Sequence, residues 1–376
     1  MLDLDFSQEQ EMLRSATRDL LSDYCSLANV RDLEDDPIGY SQELWTQMAK
    51  LDLVSMMLGD EFGGPGMSMI DAVVVYEELG RHLAPTPHLV SSILSQGAIM
   101  NSGSQAQKQD WIPRLASGDA ILTTAWLEPN GGFGPEGIQL VATSDGTTTV
   151  LSGIKHHVPF AKAAQGFLVL ARSGSSEKDI DLYLVDSSTP GISMSQKLSI
   201  ASDTQYEVRF DNVEVGTSSR IGEEKSGWDT WEALLYQAII LIGAYAEGAA
   251  SHALEITVQY AKDRHQFDKP LGAFQALAHY LADAQTNLDG AVQLVHEAAW
   301  AFSEGKSVEK LAPMAKLYAC KTFRDLTAMA QQIFGGIGFT VEFDIQLFFR
   351  RAKALQISWW NDRYLKELIA KQVLDT

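Results

Sequence analysis

Apolar residues in the first third of the chain recur every three or four positions, the spacing of amphipathic helices. The stretch "SQEQEMLRSATRDLLSDYC" opens on Ser7 and Gln10, a capping-box pair, and continues with Met12, Leu13, Ala16, Leu20 and Leu21 on one stripe. "SQELWTQMAKLDL" and "MIDAVVVYEELGRHL" repeat the pattern, with the glycine-rich "EFGGPGMS" (61–68) as a connection. From about Ile121 to Ile221 the period falls to two: "TTTVLSGIKHHV", "GFLVLAR", "DIDLYLVD" and "QYEVRFDNVEV" are β-branched runs separated by turn residues. Helical spacing returns at Trp228, in segments of about 228–262, 271–304, 308–335 and 340–372, punctuated by Pro270, Gly305 and "GGIGF". The pattern predicts an α+β multidomain chain: an N-terminal all-α domain (1–120), a middle β-barrel or sandwich domain (121–224) and a C-terminal bundle of four helical segments (225–376). Large ligands are expected where such domains meet.

Composition narrows the partners. The 376 residues are 45% hydrophobic and 21% charged, with a net charge of −20. No Lys/Arg cluster forms a phosphate-tracking stripe, so nucleic acid is not an expected partner. Cys25 and Cys320 stand in no metal or redox spacing, which predicts a reducing cytoplasm and no disulfide framework. "MLDLDFSQEQ" is acidic and has no basic n-region before an apolar core, so no signal peptide is expected. The most apolar stretch, Ala233–Ala246, is 14 residues long and contains Gln237; it is too short to span a bilayer and reads as a buried core helix. A cytoplasmic protein without a membrane partner is the expectation.

The sharpest chemistry lies in "RHQFDKPLGAFQALAHYLAD" (264–283). Arg264 offers a planar fork of donors suited to phosphate, Phe267 an aromatic face, and Gln275 an amide at the start of the next helix. A helix–turn–helix with a surface Arg and a core Phe is the plain alternative. The stretch resembles the FAD-binding signature of acyl-CoA dehydrogenases, and other segments agree in order along nearly the whole chain. "VVVYEELGRHLAPTP" resembles that family's N-terminal helical domain, and "TAWLEPNGGFG" its strand beside the flavin. "LSGIKHHVPFAKAAQGFLVLAR" resembles its β-domain segment, and "QQIFGGIGFTVEFDIQLFFRRAKAL" its adenine-side glycines and the approach to the catalytic loop.

The resemblance implies FAD held across a subunit interface, hence at least a dimer. Arg264 and Gln275 would serve the pyrophosphate and adenosine, with Phe267 against the cofactor; Gln332, Gly335 and Gly336 would approach the adenosine phosphates. For Gly335–Gly336 a helix C-cap and turn is the alternative. By the same resemblance Trp126, Leu127, His157 and Pro159 would take positions beside the flavin. In the family's "K-x-W-(I/V)-(T/S)" strand this chain reads "KHHVP", so His157 replaces the Trp, and Pro159, lacking hydroxyl and N–H, replaces the donor. His156 and His157 have no metal-ligand partners at suitable spacing, and no metal is expected. Phe133 replaces a small polar residue, and Glu128 reads as structural.

The family's desaturation needs a carboxylate to take the proton beside the thioester carbonyl. Counting nine residues from Arg350 reaches Trp359, and counting 26 back from Arg264 reaches Ala238, so both family positions lack the acid. An indole has a donor and no acceptor. Glu247 and Asp362 are the substitutes in view. Glu247, nine residues from Ala238, falls on the opposite face of its helix and reads also as an interhelical group. Asp362, three residues past Trp359, reads also as the N-cap of "RYLKELIAKQV". The backbone N–H of Trp359 would still polarise a carbonyl, while the bulk of Trp359 and Trp360 would narrow the thioester slot. The resemblance thus implies an FAD-dependent dehydrogenase of an acyl-CoA thioester that passes electrons to an electron-transfer flavoprotein. The alternatives are a non-catalytic subunit completing the FAD site of a heteromeric acyl-CoA dehydrogenase and a family member with altered chemistry.

Overall fold

The structure is a computed structural model that describes residues 6–374. Residues 1–5 of the acidic N-terminal stretch lie outside the described residues. In chain order the elements are α1 (Gln8–Tyr24), α2 (Leu27–Asp32), α3 (Gln42–Lys50), α4 (Met69–Arg81), α5 (Gln96–Ser102) and α6 (Gln105–Ala116). Next come β1 (Leu122–Ala125), β2 (Val141–Ser144), β3 (Thr148–Pro159), β4 (Gly166–Arg172), β5 (Ile180–Asp186), β6 (Ile192–Lys197), β7 (Gln205–Gly216) and β8 (Arg220–Ile221). The chain ends with α7 (Gly227–Asp263), β9 (His265–Gln266), β10 (Lys269–Pro270), α8 (Gln275–Ser303), α9 (Leu311–Phe334), α10 (Ile345–Ile357) and α11 (Asp362–Leu374). The order helical, β, helical is therefore the one the hydrophobic period predicts. The described residues pack as two compact units: those up to Arg31, Ser68–Ala84 and those from Ile239 onward form the first, Asp32–Met67 and Pro85–Ala238 the second.

The first unit is helical. Ser7 caps α1 reciprocally with Gln10, as the sequence pattern requires. The predicted α1 stripe needs correction: Met12 is 65% exposed and Ala16 is exposed, while Thr17, Leu20 and Leu21 are buried. Burial follows the contact with α4, to which Arg18 is tied by a bidentate pair with Glu78. Helices α4 and α7 approach at backbone distance because glycines face the contact. A Cβ on Gly80 would stand 2.0 Å from the Tyr245 carbonyl, and one on Gly248 would stand 1.9 Å from that of Glu77. The 37-residue α7 is long and apolar enough to cross a membrane, but most of its apolar stretch is buried, as a core helix requires. The fourth predicted C-terminal segment is two helices, broken between Ile357 and Asp362 where Trp359 and Trp360 both take positive φ.

In the second unit eight strands form one mixed sheet in the order β6-β7-β3-β2-β4-β5-β8, with β1 parallel to β4. Strands β1, β4 and β5 are buried almost throughout, as strands covered on both faces should be, whereas β6 alternates. Leu151, Val158, Phe167, Val169, Tyr183, Val208 and Phe210 share one core. The β3–β7 pairing slips between Lys155 and Val158, where three steps on β3 match two on β7. His156 and His157 therefore form a bulge, with His157 at φ +51. Residues Leu89–Ser95 form a buried π-helical turn that the helical period does not reveal.

Candidate functional site

In the first unit, β9 and β10 form a hairpin whose two turn residues, Phe267 and Asp268, both have positive φ (52° and 62°). This turn holds Phe267 outward, 87% exposed, which removes the reading of a core Phe. Arg264 and Gln275 flank the hairpin and are exposed, and among the described residues the Arg264 guanidinium has no partner. Its backbone N–H donates to the Tyr260 carbonyl, and the Tyr260 ring stacks on Phe334 at 4.1 Å. The stack anchors the arginine beside the end of α9. There Gln332, Gly335 and Gly336 are exposed, and nothing lies within 4 Å of where either glycine's Cβ would project. Gly335, at φ 67° and ψ −144°, occupies a region reserved for glycine. An unpaired guanidinium, a glycine pair under open space and a protruding phenyl ring suit a diphosphate carrying flat rings.

The loop at Trp359 is built around a buried lysine. Lys316 Nζ, on α9, donates to the carbonyls of Leu355 and Trp360, each at 3.0 Å. Trp360 is fully buried, and Trp359 is half-buried. Asn361, not Asp362, caps α11: its side-chain oxygen accepts from the Tyr364 N–H at 3.0 Å. The N-cap reading of Asp362 is thereby corrected; one more residue is needed between the left-handed pair and the first helical turn. Asp362 accepts from Gln356 Nε2 at 2.7 Å, and its other oxygen is buried without a partner. Its charge acts on Lys316, whose pKa burial lowers and the negative charge of Asp362 helps to raise.

In the second unit the strand end after β1 is sewn to the β3 bulge. Lys155 Nζ, fully buried, donates to the Trp126 carbonyl (3.1 Å) and to Glu128 (2.6 Å), and the His156 N–H donates to the Leu127 carbonyl (2.8 Å). Burial pushes Lys155 down to about 8 against the pull of Glu128. Glu128 also accepts the Gln139 and Leu140 amides, so it is structural. Trp126 is buried between Phe133 and Trp231. The exposed His157 meets Gln205 at 2.7 Å, and His156 meets Glu207 at 3.1 Å. Pro159 offers only its carbonyl, which accepts from Thr123 Oγ1. Trp126, Leu127, His157 and Pro159, separated in sequence, thus stand along one seam.

Glu247 has a different setting. It meets Glu77 of α4 and His296 of α8 inside the first unit, and the donor atoms of the three lie within 4.8 Å of one another. Burial, and then the charge of Glu77, push its pKa well up. Ala238 is fully buried. This cluster escapes the sequence reading because its members lie up to 219 positions apart; the one signal was an acid in an apolar helix.

Residues 7–119, 123–213 and 225–374 match the family models described as the acyl-CoA dehydrogenase N-terminal, middle and C-terminal domains. The chain is 30% identical to an acyl-CoA dehydrogenase of Bacillus subtilis (strain 168), over 98% of each protein. It superposes on butyryl-CoA dehydrogenase from Megasphaera elsdenii with a TM-score of 0.93 and 26% identity, covering 99% of this chain and 100% of that one. A chain in a structure described as the electron transferring flavoprotein of Acidaminococcus fermentans matches with a TM-score of 0.93 and 25% identity, over the full length of both. Three domain matches in unbroken order, a relative aligned from end to end and a dinucleotide-suited surface on the segments that resemble the FAD signature lead to one assignment: the chain belongs to the acyl-CoA dehydrogenase family.

Proposed function

We propose that this chain is an FAD-dependent oxidoreductase of an acyl-CoA thioester that passes its electrons to an electron-transfer flavoprotein, in the cytoplasm, as an oligomer in which subunits complete one another's cofactor sites. The observation that carries the reading is the exposed set Arg264, Phe267, Gln275, Gln332, Gly335 and Gly336 on one unit. Its unpaired guanidinium and the open space over the glycine pair fit the diphosphate of FAD. When bound, FAD supplies the hydride acceptor. Arg264 would hold the phosphates over the bare glycine turn, and Trp126, Leu127, His157 and Pro159 would line the ring. His157 would bring an imidazole donor or acceptor where Pro159 has no N–H to offer. Lys316 fixes the carbonyls on either side of residue 359 and so fixes the direction of the Trp359 amide, which would donate to the thioester oxygen. Asp362 is the carboxylate nearest in sequence to the usual base position and would take the α-proton.

A second reading is favoured by the residues at the base positions. Trp359 and Ala238 cannot accept a proton, and Asp362 is engaged with Gln356 and faces the Lys316 charge. On that reading the chain is a subunit whose FAD surface serves a partner that carries the base. Purifying the chain alone and recording its visible spectrum separates the two. A yellow protein bleached anaerobically by an acyl-CoA supports the first, and retained activity in Asp362→Asn would remove Asp362 from it. A colourless protein that gains flavin only with a second chain supports the subunit role.

A further inference from the structure

The structure assigns a second site to the first unit: we propose that Glu77, Glu247 and His296 bind one divalent transition ion, Zn²⁺ foremost, that pins α4, α7 and α8 together. Each ligand comes from a different helix, and the close glycine contacts at Gly80 and Gly248 set the two carboxylates against one another. His296 Nε2 lies 2.8 Å from Glu77 Oε1 and 3.7 Å from Glu247 Oε1. Donors at about 2.1 Å from one tetrahedral ion stand about 3.4 Å apart, so these separations bracket what a shared ion requires.

Glu247 supplies an independent sign. The residue is 2% exposed, and both its carboxylate oxygens are buried without a hydrogen-bond partner. A carboxyl in that state either keeps its proton toward Glu77, as burial beside that second acid favours, or gives it up to an ion that satisfies both acids. The surroundings suit ligation. Arg14 Nη2 takes the second oxygen of Glu77 at 2.7 Å, orienting the carboxylate and leaving Oε1 toward His296. Phe6 packs edge-on against the His296 ring at 4.8 Å and under the Arg14 guanidinium at 4.5 Å, excluding water from that side. A cavity of about 240 Å³ adjoins the three ligands and gives room for a water as fourth ligand. One imidazole with two carboxylates favours Zn²⁺ over Mg²⁺, which prefers oxygen alone. Arg18 and Arg81 also line the cavity, but Arg18 is paired with Glu78 and Arg81 with Glu255, so both charges are already met.

The test uses the purified full chain, stripped with a chelator, reloaded with Zn²⁺ and desalted. Elemental analysis should find one Zn²⁺ per chain, with thermal unfolding raised by Zn²⁺ and not by Mg²⁺. Co²⁺ substitution of the unaltered protein should show the d–d absorption of a four- or five-coordinate site, a readout independent of any variant. Glu247→Gln, which keeps the side-chain volume, should weaken Zn²⁺ binding at least about 100-fold. Retention of no ion would overturn the assignment. So would Glu247→Gln binding Zn²⁺ as tightly as the parent, which would place the ion elsewhere, for instance at His156 and Glu207.

Discussion

A single imidazole shows how burial sets chemistry in this chain. His88 is fully buried, with Nε2 2.8 Å from the Leu53 carbonyl, and burial pushes its pKa down to about 4 from the usual 6.5. Below pH 6.5 the unfolded chain binds a proton that the folded chain refuses. The stabilisation is therefore complete above 6.5 and is lost as pH falls toward 4, about 3 kcal/mol at most. Urea midpoints measured from pH 7 to 4 should fall along this window, and His88→Gln should flatten that slope. A slope unchanged by the substitution would assign the acid sensitivity to other groups. Trp359 carries the chemical counterpart. If Lys316 holds the loop in the family's conformation, Trp359→Glu restores a proton acceptor and should speed anaerobic bleaching of the flavin by an acyl-CoA about 100-fold or more. An unchanged rate would mean that residue 359 does not face the thioester. That a tryptophan stands at 359, where the resembled motif would carry its acid, follows from counting along that motif from Arg350. The role of Lys316 was not legible in the sequence, because its partners are carbonyls 39 and 44 positions away, which no side-chain motif records.

Hairpin and bulge show where periodicity stops being informative. Capping boxes at Ser7, Ser68 and Ser104 are written in local sequence and appear as local hydrogen bonds. The β-period likewise announces the sheet, since alternation is set by which face is covered. The bulge at His156–His157 depends on its register with β7, and the π-turn at Leu89–Ser95 on what covers it, so neither has a pattern of its own. The β9–β10 turn is a case of strain that sequence shows only in hindsight. Asp268 sits at φ 62° where such turns favour glycine. Asp268→Gly should raise stability by about 0.5–1 kcal/mol in urea unfolding while leaving Phe267 presented outward. A loss of stability would show that the Asp268 side chain contributes more than its backbone costs.

Taken as a whole, the chain has the family's layers along its length, and its identity was legible because motifs recur in order from the N-terminal helices to Arg350. The grouping of Glu77, Glu247 and His296 was not legible, since only the backbone contact of α4 and α7 brings them together. Phe267, Phe339 and Val341 are 87%, 74% and 72% exposed, large apolar groups that a second subunit would cover. Sedimentation should accordingly report a multiple of the 41.3 kDa chain, and a monomer at micromolar concentration would remove the shared cofactor site. FAD binding to this assembly is the most direct test. Flavin titrated into the stripped protein should bind at one FAD per chain, and Arg264→Met and Gly335→Val should each weaken it at least about tenfold. If the stripped protein takes up no FAD with or without a partner chain, or if both variants bind it as tightly as the parent, the dinucleotide surface is misassigned.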